Sequence, residues 1–220
     1  MKLSFSARFF HVIWALGIAF SLHDASGRSE PDDPDAYMDG IVRNSNRSKA
    51  SIRAFPGSSF ADGAASVAVS ANNDSARAVV VQTDGRIVAA GHTSNGSNED
   101  IAIVRVHADG TLDTSFASSG IKAVAIGSGD DILNAATVQT DGKVVGVGRA
   151  KVHTVDMLIV RLETSGMFDT SFHTDGKLTS AIRDNGDIAR AVSITTSGRI
   201  MVAGYSWLFG AYHFALARYL

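Results

Sequence analysis

Three arginines and two aspartates recur at fixed spacing: Arg105, Arg161 and Arg218, with Asp113 and Asp169 each eight residues after the first two. A repeated cation beside a repeated carboxylate suits two chemistries. Arranged around an axis, the set lines a ligand channel. Turned into the fold, each planar guanidinium ties down a corner by hydrogen bonds to the carboxylate or to carbonyls. Recurrence favours the corner, because scaffolding is needed in every repeat and an active centre only once. Asp113-Thr114-Ser115 and Asp169-Thr170-Ser171 read as turns whose side chains bond nearby backbone amides.

Other chemistries find less. With no cysteine there is no disulfide, thiolate zinc site, iron–sulfur cluster or cysteine nucleophile. His92, His107, His153, His173 and His213 fall at unrelated repeat positions and lack HxH or HExxH spacing. No nucleophile elbow, P-loop or dinucleotide fingerprint is present, and Gly127-Ser128-Gly129 reads as a loop between strands. The acidic loops (Asn95, Asn98, Glu99, Asp100; Asp130, Asp131; Asp184, Asn185, Asp187) match no calcium-loop spacing. If calcium did bind, Asp131 and Asp187 would be the ligands, since Asp74 aligns with them. Solvated turns are the default, and neither metal nor cofactor is assigned. A net charge of −2 leaves no electrostatic footprint for nucleic acid. Tyr205, Trp207 and Tyr212 form the one aromatic-rich segment that does not repeat, a candidate partner surface or else an apolar plug on the last unit.

These residues are carried by a repeat of about 56 positions. Ser59-Phe60, Ser115-Phe116 and Ser171-Phe172 recur, followed by Gly63, Gly120 and Gly176, by Gly85, Gly142 and Gly198, and by Gly91, Gly148 and Gly204. The aligned words are AVVVQTDGRIVAAG at 78–91, AATVQTDGKVVGVG at 135–148 and AVSITTSGRIMVAG at 191–204. Apolar runs flank Asp84-Gly85 and Asp141-Gly142, dipeptides suited to a type I′ hairpin turn, with Ser197-Gly198 a weaker version. A further strand follows each hairpin, at 101–106, 157–162 and 214–219, and one precedes it, at 64–69, 121–126 and 177–182. That predicts four strands per unit. The middle runs are nearly continuous in Val, Ile and Ala, which implies cover on both faces. Four-stranded units packed face to face are propeller blades; a β-solenoid would use shorter repeats with fewer reversals.

Leu112-Asp113-x-Ser115-Phe116, Gly120, Gln139-x-Asp141-Gly142-Lys143, Gly148 and Ile159-Val160-Arg161 together resemble the bacterial delta-60 repeat family, a propeller-like repeat. The resemblance covers roughly residues 58–220 and implies the fold while staying silent about chemistry. Departures are Ser197 for the turn Asp, His213 for the Asp at Asp100 and Asp156, and no LDTSF word after Tyr219.

Ahead of the repeats, Lys2, Arg8 and an apolar run over 9–22 predict a signal peptide over 1–26, too short to span a bilayer comfortably. Residues 27–57 hold all three prolines among Asp, Asn and Ser and are expected to be a disordered linker. The repeat domain is expected over 58–220, with blades at about 58–114, 115–170 and 171–220. Closed propellers have about four to eight blades. Three make an incomplete ring whose outer faces are bare, so a homodimer closing a six-bladed ring is expected. The chain is thus expected to be exported (periplasmic, cell-surface or secreted), non-enzymatic, and a structural or binding module for a protein or glycan partner, with no nucleic-acid partner and no membrane anchorage once the signal is removed. The alternative is an exported propeller-type hydrolase or lactonase with a metal at the channel mouth, which would need one asymmetric polar cluster.

Overall fold

The computed structural model describes residues 65–182 and 186–220. The signal peptide, the linker, Ser59, Phe60, Gly63, Asp184 and Asn185 lie outside them. All regular structure among the described residues is β, in three antiparallel sheets. The first is β1 (Asp74–Val81), β2 (Ile87–Ser94), β3 (Glu99–Val106) and β4 (Ile121–Val124), in that order. The second repeats it with β5 (Ile132–Val138), β6 (Val144–Lys151), β7 (Val155–Leu162) and β8 (Lys177–Ser180). The third has three strands, β9 (Asp187–Ile194), β10 (Ile200–Leu208) and β11 (Ala211–Tyr219), where four were expected.

The sheets are also cut from the repeat at a different place from the sequence words. β4 lies beyond Ser115-Phe116, yet it pairs with β3, with Ile103 opposite Lys122. β8 likewise pairs with β7, with Ile159 opposite Leu178. Each complete sheet therefore ends with a strand from the far side of the Ser-Phe word. The strand expected at 64–69 is not formed over its described part, 65–69. Its counterparts β4 and β8 are edge strands that pair only with a preceding third strand, and no such strand precedes it among the described residues.

The hairpin turns also differ from expectation. Gly85, Gly142 and Gly198 have φ near +83°, whereas the residues before them do not have positive φ. Type I′ requires both. The Gly85 amide donates to the Gln82 carbonyl at 3.0 Å and the Gln82 amide to the Arg86 carbonyl at 2.8 Å. That is the three-residue loop, an ordinary turn followed by a left-handed glycine.

The sheets pack face to face. Val88, Ile101 and Ile103 of the first meet Leu133, Val144 and Leu158 of the second. Val145, Met157 and Ile159 from the opposite face of the second meet Ala189, Ile200 and Val202 of the third. Val144 and Val145 point to opposite faces and both are fully buried, as the continuous apolar runs predict. Gly91, Gly148 and Gly204 recur for a different reason from the turn glycines. A Cβ on any of them would lie 1.9 Å from a carbonyl oxygen of the first strand in its own sheet, that of Ser75, Ile132 or Ile188. Each sits at the bulge where β1, β5 or β9 shifts register against its neighbour.

Candidate functional site

The recurring Arg–Asp pairs form buried corners. Arg105 Nε donates to Asp113 Oδ2 at 2.8 Å, and Arg105 Nη1 reaches the Thr164 carbonyl of the second sheet's connection at 2.6 Å. Its guanidinium stacks on Phe116, 4.6 Å from the ring centre. Arg161 repeats the device, with Nε to Asp169 Oδ2 at 2.6 Å, Nη2 to Ser171 Oγ at 3.0 Å, and Phe172 beneath it at 5.0 Å. The second carboxylate oxygen takes the turn: Ser115 donates its amide and hydroxyl to Asp113 Oδ1 at 3.1 and 2.5 Å, and Ser171 does the same to Asp169. Burial would raise both carboxyls, but hydrogen bonds outweigh it and lower them. The donors are Ser115 and Arg105 at Asp113, and Lys143, Ser171 and Arg161 at Asp169. Arg218, at the same position of the third repeat, is exposed and makes no ion pair among the described residues.

A second cation at each corner escaped the sequence reading. Arg86 Nε stands 3.1 Å from Asp113 Oδ2, and Lys143 Nζ donates to Asp169 at 2.8 Å and to Glu163 at 3.1 Å. The signal was present in the basic residue after each turn glycine. Gln82 and Gln139 recur too, donating across the sheet boundary to the Gly142 and Gly198 carbonyls at 3.2 and 3.1 Å. A polar cleft of about 450 Å³ lies between the first two sheets, bordered by Gln82, Arg86, Arg105, Ser115 and Thr164. Its repeated polar side chains are engaged in internal bonds.

Asp131 and Asp187 are not solvated turn residues, although Asp74, which aligns with them, is exposed. Asp131 and Asp187 are fully buried, and each of the three accepts from the backbone a few residues upstream: Val69 to Asp74 at 2.8 Å, Ile126 to Asp131 at 2.6 Å, Ile182 to Asp187 at 2.5 Å. Asp131 also accepts from the Gly127 and Lys151 amides. These carboxylates are spent on anchoring the chain that leads into each inner strand. Groups of three or more metal-ligating side chains are absent among the described residues.

The aromatic segment is a contact cluster on the third sheet. Tyr212 meets Tyr205 and Trp207 edge-on, with ring centres 4.8 and 4.6 Å apart. Arg190 lies over Tyr205 at 5.4 Å, and a shallow apolar recess of about 430 Å³ opens between Arg190, Tyr205, Tyr212 and Phe214. The cluster belongs to a larger bare face: Phe214 is wholly exposed and Leu216 is 74% exposed. Opposite, on the first sheet, Val79 and Val81 are 67% and 68% exposed.

Compared with known proteins, residues 82–116 and 139–172 match a family model described as domain of unknown function (DUF5122) beta-propeller. Both matches run from a hairpin turn to a Ser-Phe word, through the Arg–Asp corner. No curated protein matches the chain.

Proposed function

We propose that this chain, which carries two repeats of the DUF5122 beta-propeller family, is an exported, non-enzymatic module that joins a second copy of itself to complete a six-bladed ring. One observation carries the reading. Phe214 and Leu216 stand where Ile101 and Ile103 stand in the first sheet and Met157 and Ile159 in the second, and those four are fully buried against the next sheet. Val79 and Val81 stand where Ala136 and Val138, and Val192 and Ile194, pack against the preceding sheet. The third sheet thus presents the surface that receives a following sheet, and the first presents the surface that follows one. A head-to-tail pair of chains brings the two together twice, and two equivalent contacts close the assembly.

Tyr205, Trp207 and Tyr212 lie at the hairpin end of that face and continue it as an aromatic rim. The engagement of the recurring side chains supports a structural role: Arg105, Arg161 and Lys143 are held by Asp113 and Asp169 at the corners, and Arg105, Gln82 and Gln139 bond across the sheet boundaries. The basic start and apolar run of the leader support export to the periplasm, the cell surface or the medium. Light scattering on the full chain tests the assembly. A mass twice that of one chain is expected, and a monomer that persists as concentration is raised overturns it.

A further inference from the structure

The bare faces leave one backbone question open, which rests on the two-copy reading above. β3 and β7 each hydrogen-bond a short fourth strand, whereas β11 has no strand on its outer side among the described residues. The far edge of a nine-residue strand is thus left without a ladder, beside an exposed apolar face.

The chain carries the piece that fits. Ile126 and Ile182 donate to Asp131 and Asp187 five residues after the start of β4 and β8. Val69 makes the same bond to Asp74, which sets residues 65–67 in register with the last three residues of the two fourth strands. In the single chain Ala65, Ser66 and Val67 form no strand. They lie instead beside the apolar cleft of about 370 Å³ on the first sheet, near Ile87, Ala89 and Val104.

We infer that residues 65–67 of a second copy add to the outer edge of β11 as the missing fourth strand of the third sheet. The pairings in the complete sheets fix the register. Ile101 opposite Val124 and Ala102 opposite Ala123 become Phe214 opposite Val67 and Ala215 opposite Ser66. The direction of the chain agrees, because β4 leads through Asp131 into the inner strand of the next sheet, and residues 65–67 lead through Asp74 into β1.

The chain contains no cysteine, so paired thiols report this register cleanly. The full chain carrying Ser66→Cys and Ala215→Cys is oxidised under mild conditions, its native mass measured alongside, and compared with a Val67→Cys and Ala215→Cys chain. The slipped pair places its two sulfurs on opposite faces of the sheet. The first variant is expected to become a disulfide-linked dimer at least ten times faster than the second. A native dimer with equal or no cross-linking overturns the strand exchange while leaving self-association standing. A disulfide within one chain also overturns the exchange, and a monomer by mass overturns both.

Discussion

Phe214 and Ile101 occupy the same position in their sheets, yet Ile101 is fully buried and Phe214 is wholly exposed. The difference comes from what lies beyond each sheet, a neighbouring sheet in one case and solvent in the other. Fully burying a side chain of this size is worth about 1.5–3 kcal/mol. In a two-copy ring that gain is made once at each of two seams. Phe214→Glu is therefore expected to weaken the dimer by at least about a hundredfold, since each 1.4 kcal/mol is a factor of ten. Mass against dilution measures it. Thermal stability of the separated chain should be unchanged.

The Arg105 corner should tolerate little change. Arg105→Lys keeps the charge but cannot serve both Asp113 and the Thr164 carbonyl, and it loses the planar stack on Phe116. Asp113→Ala strips the partner from a buried cation and is expected to cost about 3–5 kcal/mol. Arg218→Ala in the monomer should cost nearly nothing, because Arg218 is exposed. Urea unfolding of the three variants ranks them.

Acid should unfold the protein through these same carboxylates. The folded carboxyls of Asp74, Asp113 and Asp169 are held below the ordinary value of 3.8; burial opposes this at each, and hydrogen bonds overcome it. Below about pH 4 the unfolded chain binds more protons than the folded one, so stability rises with pH there. The contribution is complete above the unfolded value and is lost as pH falls through the folded values. Asp169→Asn should flatten the acid limb of stability against pH. At the alkaline end Lys143, raised above 10.5 chiefly by its bond to Asp169, gives a contribution that disappears as pH climbs past that value.

Two recurring glycines should respond differently to alanine. Gly148 faces the Ile132 carbonyl, where a Cβ would sit 1.9 Å away, and Gly148→Ala must distort β5 or β6. A loss of about 3 kcal/mol, the upper part of the usual overpacking range, is expected. Gly198 has φ +82° with nothing within 4 Å of the added carbon, so Gly198→Ala carries only the left-handed backbone cost of about 1–2 kcal/mol. Denaturant midpoints of the pair distinguish close approach from turn strain.

Much of this was legible in the sequence because a repeat states its scaffold several times. The Arg–Asp spacing, the turn glycines and the doubly covered Val-Ile runs each follow from residue type and recurrence. The phase of the sheets was not legible: a periodic word can be cut anywhere, and only hydrogen bonding shows that β4 belongs with β3. That pairing also explains the three-stranded third sheet. Asp131 and Asp187 read as solvent-facing because acidic side chains in loops usually are; their burial depends on backbone amides whose direction no pattern encodes. Arg86 and Lys143 were overlooked because a basic residue after a turn glycine looks like an ordinary exposed one.

Electron micrographs of the purified full chain report whether two chains close one ring. Class averages should show rings of six blades, each containing two chains by mass, and three-bladed open arcs would contradict it.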